Sequence, residues 1–256
     1  AYFHTSAPRT APTLDVVLHN IPIHNELFRG LGPRHEWVRE EFSPSGRVDA
    51  TVLNYRSSSH DGERAPWTSE IDVRPRGVSA RFMELPYPVD DLNGHILIED
   101  DQLTFDLIGK GGSAPIEVDG LALIVDKKLT DLRLSVAATE LLLDEQLVRA
   151  LPENIAAQVG KFNPVGAIDV RSQVGLNSEG DIVHHTEVEF AGVAIEHESI
   201  PLPLRQLSGL LTIDPSGVEI NHAQGRYKGS TLTASGSVFG RDAANSDPTI
   251  SIRIED

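Results

Sequence analysis

The chain writes one pattern twice, and this duplication limits its possible folds more than any single residue does. Aligning Gly77-Val78 with Gly192-Val193 gives an offset of 115 (192 − 77). The same offset carries Pro86-Tyr87-Pro88 onto Pro201-Leu202-Pro203, Leu92 onto Leu207, Gly94 onto Gly209 and Ile98 onto Ile213. Upstream, Phe42-Ser43-Pro44-Ser45-Gly46 maps onto Phe162-Asn163-Pro164-Val165-Gly166 at an offset of 120 (162 − 42), which also brings Leu27, Arg29 and Leu31 onto Leu147, Arg149 and Leu151. The difference of five residues (120 − 115) is one indel between Asp49 and Gly77, where Tyr55 to Pro66 reads as a longer surface loop. Copies that keep their Gly, Pro and apolar positions but not their charges share a scaffold rather than a reaction centre.

The repeat divides the chain into a first unit, 1–131, and a second unit, 132–249, of 118 residues (249 − 131). Ile250-Ser251-Ile252-Arg253-Ile254 has the alternation of Leu132-Arg133-Leu134-Ser135-Val136, so residues 250–256 are expected to be the opening strand of a truncated third unit in a longer array. Each unit begins with an alternating strand (Leu14, Val16 and Leu18; Leu132, Leu134 and Val136), the period that leaves one face apolar. One short helix should follow. In the second unit Asp144 is a fitting N-cap, and Leu147, Val148, Leu151, Ile155 and Val159 fall close to helical spacing, with Pro152 starting a second turn segment. Phe-x-Pro-x-Gly then stops the helix, and the rest reads as an antiparallel meander. Its predicted strands include Ile71–Val73, Val78–Phe82, Asn93–Ile98, Gln102–Ile108 and Pro115–Val125. The fold class is therefore mainly β with short helices, each unit a meander plus one helix in a curled, groove-like sheet. Pro-x-Pro fixes two φ angles and removes two amide donors, which makes a stiff corner ahead of the Leu92 and Leu207 strands.

Composition narrows the partners. A net charge of −16, with the 22 Lys and Arg dispersed, disfavours a phosphate-backbone partner, so no nucleic acid is expected, and it argues against docking on an anionic lipid surface. With no cysteine there is neither a disulfide framework nor a thiolate metal site. No apolar run approaches the ~18–20 residues that span a bilayer, so no membrane-spanning segment is expected within the chain.

No cofactor, metal or catalytic residue is assigned. His184-His185 with Glu187 is the most ligand-like cluster, yet neighbours on a strand point to opposite faces and cannot readily share an ion. Asp49 and Asp169 hold equivalent positions and read as strand-entry or capping groups, since a catalytic carboxylate is more often single and paired with a second acid nearby. Gly109-Lys110-Gly111-Gly112-Ser113 lacks the following helix that a phosphate loop needs, and reads as a hairpin turn. The chain is not expected to be an enzyme.

The order of elements resembles the AsmA-like superfamily of bacterial envelope proteins, which includes the TamB-like and YhdP-like proteins. The likeness rests on the alternating strand, the short helix and the motif residues Pro44, Gly46, Pro86, Pro88 and Gly94 with their counterparts Pro164, Gly166, Pro201, Pro203 and Gly209, and on a meander ending in Gly236-Ser237-Val238. What the resemblance implies is a long, curled sheet with an apolar inner face, periplasmic, tethered to the inner membrane through a region outside these residues, and handling or conducting phospholipid or another acyl lipid. Further repeats of the same polypeptide would be its neighbours. If so, Ile96, Ile98, Leu103, Phe105 and Leu107 with Leu211, Ile213, Val218 and Ile220 should line one concave surface. The alternative is that the units pack sheet on sheet, close a conventional core and serve as a structural or adhesive module for protein or glycan partners.

Overall fold

The computed structural model describes residues 13–31, 36–56, 67–83, 86–125, 128–151, 153–196, 204–239 and 249–255. Among them run β1 (Thr13–Pro22), α1 (Asn25–Leu31), α2 (Glu36–Phe42), β2 (Ser45–Arg56), β3 (Trp67–Arg81), β4 (Pro88–Glu99), β5 (Gln102–Gly111) and β6 (Ala114–Val125). The second unit repeats the order as β7 (Lys128–Leu142), α3 (Glu145–Ala150), α4 (Glu153–Phe162), β8 (Ala167–Leu176), β9 (Ile182–Ile195), β10 (Leu204–Asp214), β11 (Gly217–Tyr227) and β12 (Ser230–Phe239). The segment β13 (Thr249–Glu255) follows and pairs with β12. The strands form one antiparallel sheet in which each pairs with its sequence neighbours. The sheet is open, with β1 and β13 at its edges. A twisted sheet of more than about ten strands must curl or split, and this one curls.

Two details differ from the sequence expectation. Each unit carries two short helices rather than one, the first ending at Leu31 or Ala150 and the second starting at Glu36 or Glu153. The two runs expected at 71–73 and 78–82 are a single strand, β3, bent at Gly77, whose φ is 60°. The Gly109–Ser113 segment is the expected hairpin turn, with β5 ending at Gly111 and β6 starting at Ala114. Pro201 and Pro203, and the long loop at 57–66, lie outside the described residues.

The same backbone devices recur at the two sequence offsets. Asn20 (φ 55°) and Glu140 (φ 54°), 120 apart (140 − 20), occupy the left-handed region that non-glycine residues rarely enter. Each sits where the register of the opening strand shifts, between Leu18 and Ile21 and between Ala138 and Leu141. A carboxylate on the next strand holds each bulge: the Asn20 amide donates to Asp49 Oδ1 at 2.7 Å and the Glu140 amide to Asp169 Oδ1 at 2.8 Å. These charge-assisted bonds offset a strain of about 1–2 kcal/mol. Gly46 (φ 127°) and Gly166 (φ 149°) follow the helices at equivalent places, and a Cβ there would lie 3.1 Å from Val78 Cα and Val193 Cα respectively. Only glycine meets both demands.

The buried apolar residues gather beneath the helices. Val48, Val78 and Leu92 form one cluster, with Ile21 and Ile23 against it. Their counterparts Ile168, Val193 and Leu207 belong to a larger cluster that includes Leu141, with Leu147 and Ala150 of α3. Tyr87, between the two prolines of the first unit, packs into this same second-unit cluster and ties the units together. The helices, the Pro86–Pro88 corner and the turns at 112–113 and 228–229 thus share one rim of the sheet.

Candidate functional site

Cross-strand register places the nine residues expected in a groove on one face. Ile96 pairs with Phe105 and Ile98 with Leu103; Leu211 pairs with Ile220 and Ile213 with Val218. An unbroken row, Leu107–Val118–Val136–Ser172–Thr186–Ile213–Val218, joins the two sets across both units. Six interstrand steps of about 4.8 Å make this row about 29 Å long. Alternation puts polar and acidic side chains on the other face, where Asp106, Glu117, Asp119, Glu187, Glu189 and Glu219 are all exposed.

The inner face is closed mainly at the helix rim, although the small Ala122 is also buried toward the opposite rim. Val193 there is 4% exposed, whereas all nine groove residues are half-buried and Ile182, near the opposite rim, is 46% exposed. No large side chain is fully buried among the described residues. A single sheet with one short helix pair per unit has too little material to cover its apolar face, so the residues beyond the helices keep contact with solvent. The positions expected to alternate do so: Leu103, Phe105 and Leu107 lie inside, and Ile108 lies outside with 57% exposure.

Close strand contacts shape the face. Gly94 and Gly209, the paired motif glycines, leave no room for a side chain: a Cβ would come within 2.1 Å of the Asp106 and His222 carbonyl oxygens respectively. Pro86 is exposed, and Pro88 opens β4, where its missing amide is no loss. Pro44 and Pro164 are half-buried between helix and strand. A shallow hollow of 630 Å³ lies between this corner and α3, lined by Arg81, Pro86, Pro88, Glu145 and Arg149 among others.

The electrostatics are those of a scaffold. Asp49 takes hydrogen bonds from the Arg76 guanidinium, at 2.6 Å from Nε, and from the Asn20 amide, and these hold its carboxyl below the usual carboxylate range. Asp91 is lowered in the same way by Lys110, at 3.0 Å, and by Asn93. His184 and His185 point to opposite faces, as adjacent strand residues must, with Glu187 on the His185 side. Sequence reasoning did not single out Ser172 and Thr186, which interrupt the apolar row. Their hydroxyls lie 2.8 Å apart, and His184 Nδ1 is 3.3 Å from Thr186 Oγ1. No protein-family model, curated protein or solved structure matches the chain.

Proposed function

We propose that the chain is a non-enzymatic segment of an AsmA-like envelope protein, periplasmic in location, whose inner face handles or conducts acyl lipid between membranes. The observation that carries this reading is the cross-strand row from Leu107 to Val218, apolar except at Ser172 and Thr186, shared by both units and left half-exposed away from the helices. An acyl chain gains about 0.8 kcal/mol for each CH₂ removed from water, so an apolar strip holds lipid without a specific polar pocket. The acidic outer face supports the same division of labour, keeping the exterior soluble while the interior stays greasy. Asp49 and Asp169, the equivalent carboxylates, are occupied in holding strand bulges, which fits a role without catalysis.

The experiment is native mass spectrometry of gently purified protein. The expected result is a population carrying phospholipid or fatty acid, released on denaturation. Protein that is free of lipid at every stage of purification, and stays so after incubation with phospholipid vesicles, would leave the structural-module reading in its place.

A further inference from the structure

The row that crosses the middle of the inner face differs between the two units. In the first, the row Val16–Val52–Ile71–Ile98–Leu103 is apolar throughout. The equivalent row of the second is Val136–Ser172–Thr186–Ile213–Val218, with two hydroxyls at its centre, and His184 stands beside Thr186 on the same face of β9. All three polar side chains are half-buried among apolar neighbours such as Val174 and Val188.

Counting protons shows what this cluster lacks. Ser172, Thr186 and a neutral His184 bring one donor hydrogen each, and the two contacts between them, 2.8 Å and 3.3 Å, consume two. If the bonds run from Ser172 through Thr186 to His184 Nδ1, the Nε2 hydrogen is left over. If they run the other way, the Ser172 hydroxyl hydrogen is. Either order leaves one donor without an acceptor inside the cluster, open on the half-exposed inner face and available to an oxygen of a bound molecule.

We propose that Ser172, Thr186 and His184 form a polar station on the inner face that binds the anionic oxygen group, carboxylate or phosphate, at the end of an acyl lipid. The proposal rests on the lipid reading above. The apolar neighbours on either side receive the chain, and the station fixes where its head stops. The inner-face positions around it, Val136, Val170, Val174, Val188 and Ile213, carry no carboxylate to repel an anion, whereas the outer face of the same strands holds Asp169, Glu187 and Glu189 together with Arg133 and Arg171.

The first unit supplies the test variant, since its own Val52 and Ile71 occupy the places of Ser172 and Thr186 on the same scaffold. Binding of palmitate, lysophosphatidate and the uncharged apolar dye Nile red would be measured on the wild-type chain, on the S172V/T186I double variant and on His184→Leu. The expected result is a loss of about tenfold in affinity for palmitate, lysophosphatidate or both, with Nile red binding kept. Loss for palmitate alone assigns a carboxylate, and loss for lysophosphatidate alone a phosphate. If both anionic lipids bind wild type and variants equally, the station is ordinary cross-strand pairing and the proposal is overturned. If wild type binds neither these lipids nor Nile red, the lipid reading itself fails and takes the station with it.

Discussion

The helix rim and the uncovered stretch of the same face are built from the same residue types and end in different states. Val193 and Leu207 lie under the helices with exposures of 4% and 7%, while Phe105 and Ile220, on strands of the same sheet, stay half-exposed. What separates them is cover. The helices follow only the opening strand of each unit, and α3 brings Leu147 and Ala150 onto the rim cluster and no further. The contrast teaches that apolar alternation specifies a face, and that a second layer decides whether that face becomes core or surface.

The sharpest way to break this contrast is to place the same charge on both sides of it. Leu207→Asp should unfold the protein, at about 4 kcal/mol or more, because a carboxylate inside the rim cluster has no partner. Ile220→Asp should cost only about 1 kcal/mol, because its side chain reaches water. Urea melts of the two variants check both values, and equal losses would mean that the uncovered stretch is also core. An intermediate effect is expected at the strand contacts: Gly209→Ala should destabilise by about 1–3 kcal/mol, since its Cβ would press on the His222 carbonyl. The same substitution at Gly160, which meets nothing within 4 Å, should be neutral or slightly stabilising by the same assay.

The smallest effect concerns pH at the bulge of the first unit. Asp49 has its carboxyl lowered by Arg76 and the Asn20 amide. A group whose folded pKa is depressed adds stability above its unfolded pKa, near 3.9, and loses it as pH falls through the folded value. Arg76→Ala, which removes the largest cause of the shift, should therefore lower stability slightly at neutral pH and leave it unchanged at the acid end, so that the acid limb flattens. Thermal melts from pH 2 to 7 measure it, and an unchanged acid limb would contradict the assignment.

Much of this was legible in the sequence because the repeat repeats its backbone constraints. Gly46 with Gly166 and Gly94 with Gly209 mark places where a side chain cannot fit, and such residues survive when surface charges drift. The paired Asp49 and Asp169 were legible as capping groups, but what they cap was not: Asn20 is a residue type that tolerates positive φ, whereas its counterpart Glu140 carries no hint of it in its chemistry. The polar station was hidden for a different reason. Ser172 and Thr186 are 14 residues apart (186 − 172) and become neighbours only once the β8–β9 register is fixed, and register depends on loops and bulges more than on composition. The sealing of the rim was equally hidden, because it depends on where α3 docks rather than on which residues are apolar.

The central claim, that the uncovered inner face carries lipid, is tested most directly by photo-crosslinking in a membrane extract. A photoreactive residue placed at Phe105 or Ile220 should yield lipid adducts, and the same residue at Ile108, exposed on the outer face, should yield none. Equal labelling at Ile108, or no lipid adduct at Phe105 and Ile220, would contradict the account.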